Sequence, residues 1–267
     1  MKHFRILLLV FLILSCKNVS NIVDPIYAQG STVRLKVLCY NIRFGELASM
    51  EELAEFIKKE DPDVVALQEV DCRTKRDLTP KQHGKDFVTE LGYFTKMLTA
   101  YGKTIPYAGG YYGIGILSKY PLASVERIYL PKTENGKEQR AVLVADVEYS
   151  EGKYFTFACT HLDYTNTEER QVQVKKLNEV LLLRQYPVIV AGDFNARPDS
   201  KEISEGMMKT WKVVCKMEPT SPANAPRSQI DYIFCYPNDK WNSIEATTYQ
   251  IQLSDHLPIS AVVELDK

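Results

Sequence analysis

Polar side chains able to carry out acid–base or metal chemistry recur along this chain where apolar runs end. Asn41 follows the apolar run 33–40, and Glu69 lies near the end of the run 64–70. A carboxylate within a buried run needs a partner or a metal, because an unpaired buried charge is costly. Glu69 is therefore a candidate metal ligand. The alternative is a Glu that simply reaches solvent at the end of its strand.

Two further runs end in residues suited to moving a proton. His161 ends one of them, and an imidazole there can hold a phosphate oxygen, although a lone His is more often structural. Asp193 and Asn195 are two residues apart after the run 188–191, so an extended chain would put both on one face. A carboxylate beside an amide suits taking a proton from water while orienting it. The same spacing is also typical of an Asx turn.

The remaining polar positions lie near the C-terminus. Asp231 falls inside the apolar run 229–235 and needs a partner there, while Asp255 and His256 are adjacent between two apolar runs. An acid such as Asp231 can hold a histidine in one tautomer. Oxygen ligands such as Glu69 and Asp255 are those that a hard divalent cation prefers.

The elements that must position these residues are mostly strands. Ser49 is predicted to N-cap a helix over 50–59, and Thr167 a helix over 167–183. The apolar runs predict strands at 33–40, 64–70, 93–99, 113–118, 125–130, 141–149, 153–162, 187–194, 229–235, 247–253 and 258–264. So many strands with only two or three substantial helices do not fit a Rossmann sheet, in which a helix follows each strand. They fit two packed sheets flanked by helices.

Composition supports one globular domain and gives no sign of a large basic surface. The chain has 267 residues, of which 45% are hydrophobic and 25% charged, and its net charge is -1. These values suit a single well-cored domain, predicted over residues 32–267. Proteins that grip duplex DNA usually carry a basic excess, because phosphate contacts supply most non-specific affinity. The charge therefore argues against a DNA-repair role but leaves a nuclease open.

The N-terminus carries an export signal. Lys2 and Arg5 precede the apolar run 6–14, which is too short to span a bilayer as a helix. The following Cys16 completes a sequence that resembles a bacterial lipobox, in which this cysteine is acylated. We expect residues 1–16 to be the signal, residues 17–31 a flexible tether, and the protein a membrane-anchored lipoprotein exported to the cell envelope. The alternative is an ordinary signal peptide cut further along the chain.

The other cysteines match no zinc pattern in their spacing, and several lie in apolar runs. We expect them to be small buried side chains, with one disulfide left open as an alternative. They are Cys39, Cys72, Cys159, Cys215 and Cys235.

Taken together and in this order, the motifs resemble those of the endonuclease/exonuclease/phosphatase superfamily. They are Tyr40-Asn41-Ile42-Arg43, Leu67-Gln68-Glu69-Val70, Gly192-Asp193-Phe194-Asn195 and Ser254-Asp255-His256-Leu257-Pro258. The resemblance covers about residues 33–265. It implies a deoxyribonuclease I-like α/β fold, a four-layer α/β/β/α sandwich of two packed mixed sheets flanked by helices, with the site at one end of the sheets. It also implies Mg²⁺-dependent cleavage of a phosphodiester or phosphomonoester by water attack on phosphorus, with Mn²⁺ as an alternative ion.

The resemblance also implies a role for each motif residue. The implied metal ligands are Asn41, Glu69 and Asp255. The implied catalytic residues are His161, Asp193, Asn195, Asp231 and His256. Asp193 would activate the water, Asn195 would orient it or the phosphate, and His256 would contact the phosphate with Asp231 as its partner. How proton transfer divides between Asp193 and His256 stays open.

Two residues outside these motifs are candidates for substrate contact. Arg140 could reach a phosphate with two hydrogen bonds, or it could form an ordinary salt bridge. Tyr112 could line the site, or it could be a packed loop aromatic. His161 itself indicates the subclass, since the resemblance gives a histidine there to secreted nucleases, sphingomyelinases and phosphatases but not to repair nucleases.

Several functions remain open for a chain of this kind. The expected partner is a phosphate-ester substrate acted on by a monomer. A general phosphodiesterase or phosphatase ranks first, a secreted endonuclease acting on DNA or RNA second, and a sphingomyelinase-like lipid enzyme third. An inactive envelope binding module is the alternative outside enzymes, but every motif position holds a competent residue type. A zinc or thiol hydrolase is disfavoured, because its clustered ligands are missing from the sequence.

Overall fold

The structure is a computed structural model, and it describes residues 32–266. The predicted signal sequence, the lipid site Cys16 and the tether over 17–31 lie outside the described residues and stay predictions. Within residues 32–266, no helix is both long and apolar enough to cross a membrane.

Two six-stranded sheets make up most of the domain. In chain order, the strands within residues 32–266 are β1 (Thr32–Asn41), β2 (Val64–Cys72), β3 (Leu98–Tyr107), β4 (Gly110–Ser118), β5 (Leu122–Tyr129), β6 (Ala141–Ser150), β7 (Lys153–His161), β8 (Val188–Asp193), β9 (Lys212–Val213), β10 (Asp231–Tyr236), β11 (Trp241–Thr248) and β12 (Ile259–Asp266). The first sheet has the order β11-β12-β1-β2-β4-β3, and the second β5-β6-β7-β8-β10-β9. Both are mixed, because β1–β2 and β7–β8 pair in parallel while the other neighbours pair antiparallel.

Helices cover the outer faces of the sheets. The α-helices within the described range are α1 (Met50–Glu60), α2 (Phe87–Thr95), α3 (Thr167–Leu181) and α4 (Lys201–Ser204). Ser49 caps α1 as predicted: the Glu52 backbone N–H donates to its Oγ at 3.2 Å, and Glu52 Oε2 accepts from the Ser49 N–H at 2.8 Å. Asn166, and not Thr167, caps α3, because its Oδ1 accepts from the backbone N–H of Glu169 at 2.7 Å.

Two predicted strands are wrong. The segment 93–99 was expected to be extended, but residues up to Thr95 belong to α2, whose N-cap Asp86 accepts from the Thr89 N–H at 3.2 Å. The buried residues of α2 follow a helical spacing that the β-prone aromatics nearby obscure. The strand expected over 247–253 begins and ends several residues earlier: it is β11, Trp241–Thr248, which pairs with β12.

The packing forms four layers, as the resemblance implied. Side chains of α1 and α2 such as Leu53 and Leu91 pack with Leu38 and Val65 on the outer face of the first sheet. Strands β1, β2 and β4 lie against β6, β7 and β8 between the sheets, and α3 and α4 join the same apolar core on the other side. Each fully buried Leu, Ile or Phe contributes about 1.5–3 kcal/mol through removal of its surface from water. The predicted α/β/β/α sandwich is confirmed.

Strand register brings the motif residues to one end of this sandwich. The parallel pairing of β7 with β8 sets His161 opposite Asp193, and the antiparallel pairing of β8 with β10 sets Asp193 opposite Asp231. In the other sheet, β1 sets Asn41 opposite Gln68, the residue before Glu69. The two apolar cores fix the strands, and the strands in turn place polar side chains from five of them at neighbouring strand ends.

The cysteines of the described residues are all free, and all except the partly exposed Cys72 are buried. Cys39 and Cys159 lie on facing strands and both contact the Gln68 side chain, at 3.6 and 3.4 Å. They act as small core side chains, as predicted.

Candidate active site

Asp193 is the centre of the polar cluster. It ends β8 with only 1% of its surface exposed, and its Oδ2 accepts a hydrogen bond from Asn41 Nδ2 at 3.0 Å. Gly192 before it must be a glycine, because a Cβ there would lie 2.2 Å from the Thr160 carbonyl oxygen on β7. That close approach of β7 and β8 is what brings His161 next to Asp193.

Burial changes the proton affinity of Asp193. Loss of water around the carboxylate, together with the charge of Asp231, raises the pKa of Asp193 to about 7, against the opposing effect of the nearby His256. A carboxylate with a pKa near neutrality is matched to the work of a general base at physiological pH.

Asn195 joins Asp193 through an Asx turn. Its backbone N–H donates to Asp193 Oδ1 at 2.8 Å, and its φ of 50° is left-handed. The two side chains are therefore brought together by a turn, and not by the strand alternation expected from their spacing.

His256 pairs with Asp231 as the sequence suggested. His256 Nδ1 lies 2.9 Å from Asp231 Oδ2, which also accepts from Thr220 Oγ1 at 2.5 Å. Its Nε2 lies 3.7 Å from Asp193 Oδ2. Burial alone would lower the pKa of His256, but the carboxylates of Asp231 and Asp193 outweigh it and raise that pKa to about 10. His256 is therefore an imidazolium that donates from both nitrogens.

His161 has the opposite state. Arg140 Nη1 lies 2.9 Å from His161 Nδ1 and can only donate, so the neutral ring carries its proton on Nε2, 3.4 Å from Asp193 Oδ2. Burial and the positive charges of Arg140 and His256 hold the pKa of His161 well below its ordinary value. Asn195 Nδ2 lies 3.1 Å from His161 Nε2, but it donates its hydrogen bond to the Leu162 carbonyl oxygen, also at 3.1 Å.

Glu69 reaches the cluster through an irregularity in β2. The register with β4 shifts between Leu67 and Val70, and Glu69 there has a φ of 56°, a conformation that costs a non-glycine residue about 1–2 kcal/mol. The bulge lets Glu69 Oε1 accept from Asn41 Nδ2 at 3.1 Å. Burial raises the pKa of Glu69, against the hydrogen bond from Asn41.

Asp255 forms the outer edge of the site. It is partly exposed and forms a salt bridge with Arg43, whose guanidinium also contacts Glu46. The Arg43 backbone N–H donates to Asn41 Oδ1 at 3.0 Å. One side-chain amide and two carboxylates from Asn41, Glu69 and Asp255 thus supply the hard oxygen donors that Mg²⁺ or Mn²⁺ prefers, and the residues fit such an ion.

A second group of possible ligands is less suited to a metal. One ligand atom each from Asp193, Asp231 and His256 lies within 4.8 Å of the others. However, His256 Nδ1 lies 2.9 Å from Asp231 Oδ2, so that these two ligand atoms are already engaged with each other. The geometry therefore suits these three residues to acid–base chemistry, and the set around Glu69 stays the predicted cation site.

Arg140 and Tyr112 are both buried. Arg140 is 2% exposed, and its Nη1 lies 3.2 Å from Glu138 Oε1 as well as beside His161. Its guanidinium is thus shared between an acid and an imidazole. Tyr112 lies opposite Asp71 in the β2–β4 pairing, and burial, followed by the negative charge of Glu69, raises the pKa of its phenol. Glu138 did not stand out in the sequence, because an acid two residues before an arginine gives no sign that the pair is buried.

A second arginine beside the site, Arg76, lies in the segment between β2 and α2. Its guanidinium forms two hydrogen bonds of 3.0 Å with Asp71 and lies between the rings of Phe44 at 3.9 Å and Tyr107 at 4.1 Å. The spacing of these residues in sequence gives no signal for this stack.

Comparison with known proteins agrees with this geometry. Residues 38–256 match the model of the Endonuclease/Exonuclease/phosphatase family. The uncharacterized protein YbhP of Escherichia coli K12 is 28% identical over 257 residues, covering 89% of this chain and 99% of that protein.

Solved structures share the fold at low sequence identity. An endonuclease/exonuclease/phosphatase from Beutenbergia cavernae has a TM-score of 0.73 and 20% identity, covering 87% of this chain and 72% of that one. A mannosyl-6-phosphatase from Bacteroides thetaiotaomicron has a TM-score of 0.68 and 16% identity, covering 86% and 99%. The match to the family model spans most of the domain and includes every motif residue from Asn41 to His256. The chain therefore belongs to the endonuclease/exonuclease/phosphatase family, a family of phosphoric ester hydrolases.

Proposed function

We propose that this protein hydrolyses a phosphoric ester with the help of a divalent cation, by attack of water on phosphorus. The observation that carries the proposal is the position of Asp193, a buried carboxylate whose Oδ2 lies 3.4 Å from His161 Nε2 and 3.7 Å from His256 Nε2. Burial also raises the pKa of this carboxylate towards neutrality. A base poised near neutrality can accept a proton from water. The neighbouring N–H groups can bind the phosphoryl oxygens on which negative charge develops.

The residues around Asp193 have separate tasks in this proposal. The water donates to the Asp193 carboxylate, which Asn41 and the Asn195 N–H hold in place. His161, neutral, and His256, charged, donate from Nε2 to the phosphoryl group. Asp231 holds His256 in this orientation.

Asn41, Glu69 and Asp255 would hold the cation. When bound, a divalent ion would supply positive charge next to the phosphoryl group and stabilise the charge that develops in the transition state. The oxygen donors of these three side chains support this assignment, because Mg²⁺ and Mn²⁺ prefer carboxylate and amide oxygens as ligands.

The charges beside the site favour a small ester over duplex DNA. Arg43, Arg76 and Arg140 each already face a carboxylate: Asp255, Asp71 and Glu138 respectively. A guanidinium that is already paired with a carboxylate binds an extended phosphate backbone more weakly than a free one does. The net charge of the chain, -1, adds no general attraction to nucleic acid. We therefore rank a small phosphomonoester or phosphodiester above a polynucleotide.

The test is turnover by the purified protein on a panel of esters. The panel contains p-nitrophenyl phosphate, bis-p-nitrophenyl phosphate, hexose phosphates, supercoiled plasmid and sphingomyelin, each with Mg²⁺ and with EDTA. We expect EDTA to abolish turnover and Asp193→Asn to lower kcat by about 10²–10⁴-fold through loss of the base. The matched control is Asp146→Asn, the same change on β6 away from the site, where the carboxylate binds Thr156 and Ser124.

The outcomes separate the alternatives. Turnover that survives EDTA, or an Asp193→Asn variant as active as Asp146→Asn, would exclude the proposed chemistry. Binding of a cation without turnover on any ester would favour an inactive binding module. Preferred cleavage of plasmid would move the nuclease to first place.

A further inference from the structure

The turn that follows β1 has an unusual backbone. Arg43, Phe44 and Gly45 have φ values of 42°, 44° and 65°, so three consecutive residues are left-handed and two of them carry side chains. Side chains disfavour this region because Cβ approaches the following carbonyl oxygen. Such conformations persist where the surroundings hold them, and they cluster at functional sites.

The surroundings hold this turn through Arg43. Its backbone N–H donates to Asn41 Oδ1 at 3.0 Å, and its guanidinium contacts Asp255 Oδ2 and Glu46 Oε2. Arg43 therefore contacts two of the three residues assigned to the cation. The Arg43 side chain is 38% exposed, so solvent reaches it.

A cation on Asp255 and this salt bridge compete for the same carboxylate. Arg43 Nη1 already contacts Asp255 Oδ2, and two positive centres on one carboxylate repel each other. Asp255 is partly exposed, so the competition is moderated by solvent but not removed.

A displaced guanidinium has a place to go. A cavity of about 510 Å³ beside Asp255 is lined by residues that include Arg43, Glu46, Asn224 and Gln252. Glu46 contacts Arg43 Nε. Arg43 Nη1, which contacts Asp255, would therefore be freed while Nε keeps its contact with Glu46. Arg43 Nη1 and the side-chain amides of Asn224 and Gln252 are hydrogen-bond donors of the kind that bind a tetrahedral oxyanion.

We propose that Arg43 is a cation-gated oxyanion-binding residue: it pairs with Asp255 while the cation site is empty and turns to the anionic group of the ligand when a divalent cation takes Asp255. The proposal rests on the cation site of the proposed function. The two binding events are then thermodynamically linked. An oxyanion that binds the released guanidinium favours cation binding, and a bound cation favours oxyanion binding. In the wild type, cation and oxyanion therefore bind better together than alone.

The probes are Mn²⁺, counted as free ion by electron paramagnetic resonance, and sulfate, a tetrahedral oxyanion that does not precipitate it. Without sulfate, Arg43→Gln should bind Mn²⁺ about three- to tenfold more tightly than the wild type, because the competing charge is gone. Sulfate should tighten Mn²⁺ binding to the wild type, and this enhancement should vanish in Arg43→Gln. Arg43→Gly should behave in the same way, and glycine suits the left-handed φ, so strain does not prevent its folding.

The matched control is Arg34→Gln, which removes an exposed arginine from β1, the strand before the Arg43 turn, where it pairs with Glu264 at 3.3 Å. Arg43 variants with the Mn²⁺ affinity of Arg34→Gln would overturn the gate, and a wild type insensitive to sulfate would overturn the oxyanion role. Glu69→Gln separates the two levels. If wild-type Mn²⁺ binding does not depend on Glu69, the cation site of the proposed function fails and the inference fails with it. If it does depend on Glu69 and the Arg43 variants are unchanged, only the inference fails.

Discussion

Replacing Arg140 with methionine removes a buried guanidinium but keeps an unbranched side chain in its place. Arg140 is 2% exposed, and its Nη1 contacts Glu138 Oε1 at 3.2 Å and His161 Nδ1 at 2.9 Å. Breaking a fully buried pair by removing one partner costs about 3–5 kcal/mol, because the other charge is left uncompensated. The Glu138 side chain is 20% exposed, so water offsets part of that cost. We expect Arg140→Met to lower the free energy of unfolding by about 2–3 kcal/mol at neutral pH.

The same variant should show a pH dependence of known sign. Burial raises the pKa of Glu138, and Arg140 is the largest influence opposing that rise. Without Arg140 the pKa of Glu138 rises further in the folded state but not in the unfolded state. The folded protein then binds this proton more tightly than the unfolded chain, so stability is retained below the ordinary carboxyl pKa and lost as the pH rises through the folded pKa. The cost of Arg140→Met should therefore be larger at pH 8 than at pH 5.

Urea unfolding at both pH values measures this cost. Arg184→Met is the matched control, since Arg184 forms an arginine–glutamate pair at the surface with Glu126 at 2.9 Å and should cost less than about 1 kcal/mol. Adding Glu138→Gln to Arg140→Met should reduce the pH dependence to the part that comes from His161, whose pKa Arg140 also lowers. An Arg140→Met penalty equal to that of the control, or the same at both pH values, would refute the assignment of a buried pair.

Nitrogen-15 NMR of the histidine rings tests the other contact of Arg140. In the wild type, His161 should be neutral with its proton on Nε2, because Arg140 donates to Nδ1. In Arg140→Met the proton should partly move to Nδ1, which no longer has a donor beside it. A wild-type ring protonated on Nδ1 would contradict the geometry.

In the metal-free protein, His256 should remain charged through neutral pH and lose its proton near pH 10, and Asp231→Asn should move this titration to lower pH. NMR of the histidine rings in the presence of EDTA measures both titrations. A wild-type titration near pH 6.5 would contradict the ion pair. Gly192→Ala should destabilise the protein by about 3 kcal/mol and abolish activity, because its Cβ would lie 2.2 Å from the Thr160 carbonyl oxygen and must push β7 and β8 apart. Thermal unfolding measures the loss of stability in Gly192→Ala. A variant as stable as the wild type would show that β7 and β8 can move apart without cost.

The scaffold was predictable because each strand of the core is a short apolar run with a polar residue at its end. The run 188–191 is buried on β8, and the polar residue that follows, Asp193, becomes the centre of the site. Neighbouring strand ends meet at one edge of a sheet, so residues such as His161 and Asp231 had to approach Asp193 once the sheet order was known. Periodicity and strand-end position therefore carry most of the information about the site.

Backbone irregularity and long-range pairing were not predictable. Glu69 and Asn195 enter the site through left-handed conformations, and neither is a glycine whose presence would indicate one. The stack of Arg76 on Phe44 and Tyr107 joins residues far apart in the chain. Arg140 pairs with Glu138 only two residues away, but the sequence does not show that this pair is buried. Helix α2 was missed for a different reason: its burial depends on packing against the first sheet, which local β-propensity does not report.

The two site histidines illustrate why residue type alone cannot assign chemistry. His161 and His256 both face Asp193 Oδ2, at 3.4 and 3.7 Å through Nε2. Burial lowers the pKa of both rings, but a guanidinium beside His161 lowers it further, whereas two carboxylates beside His256 reverse the effect. One ring is therefore neutral and the other charged, yet each carries a proton on Nε2. The chain thus presents two N–H donors on either side of a single base, one of fixed tautomer and one of fixed charge, and an oxyanion between them would meet both.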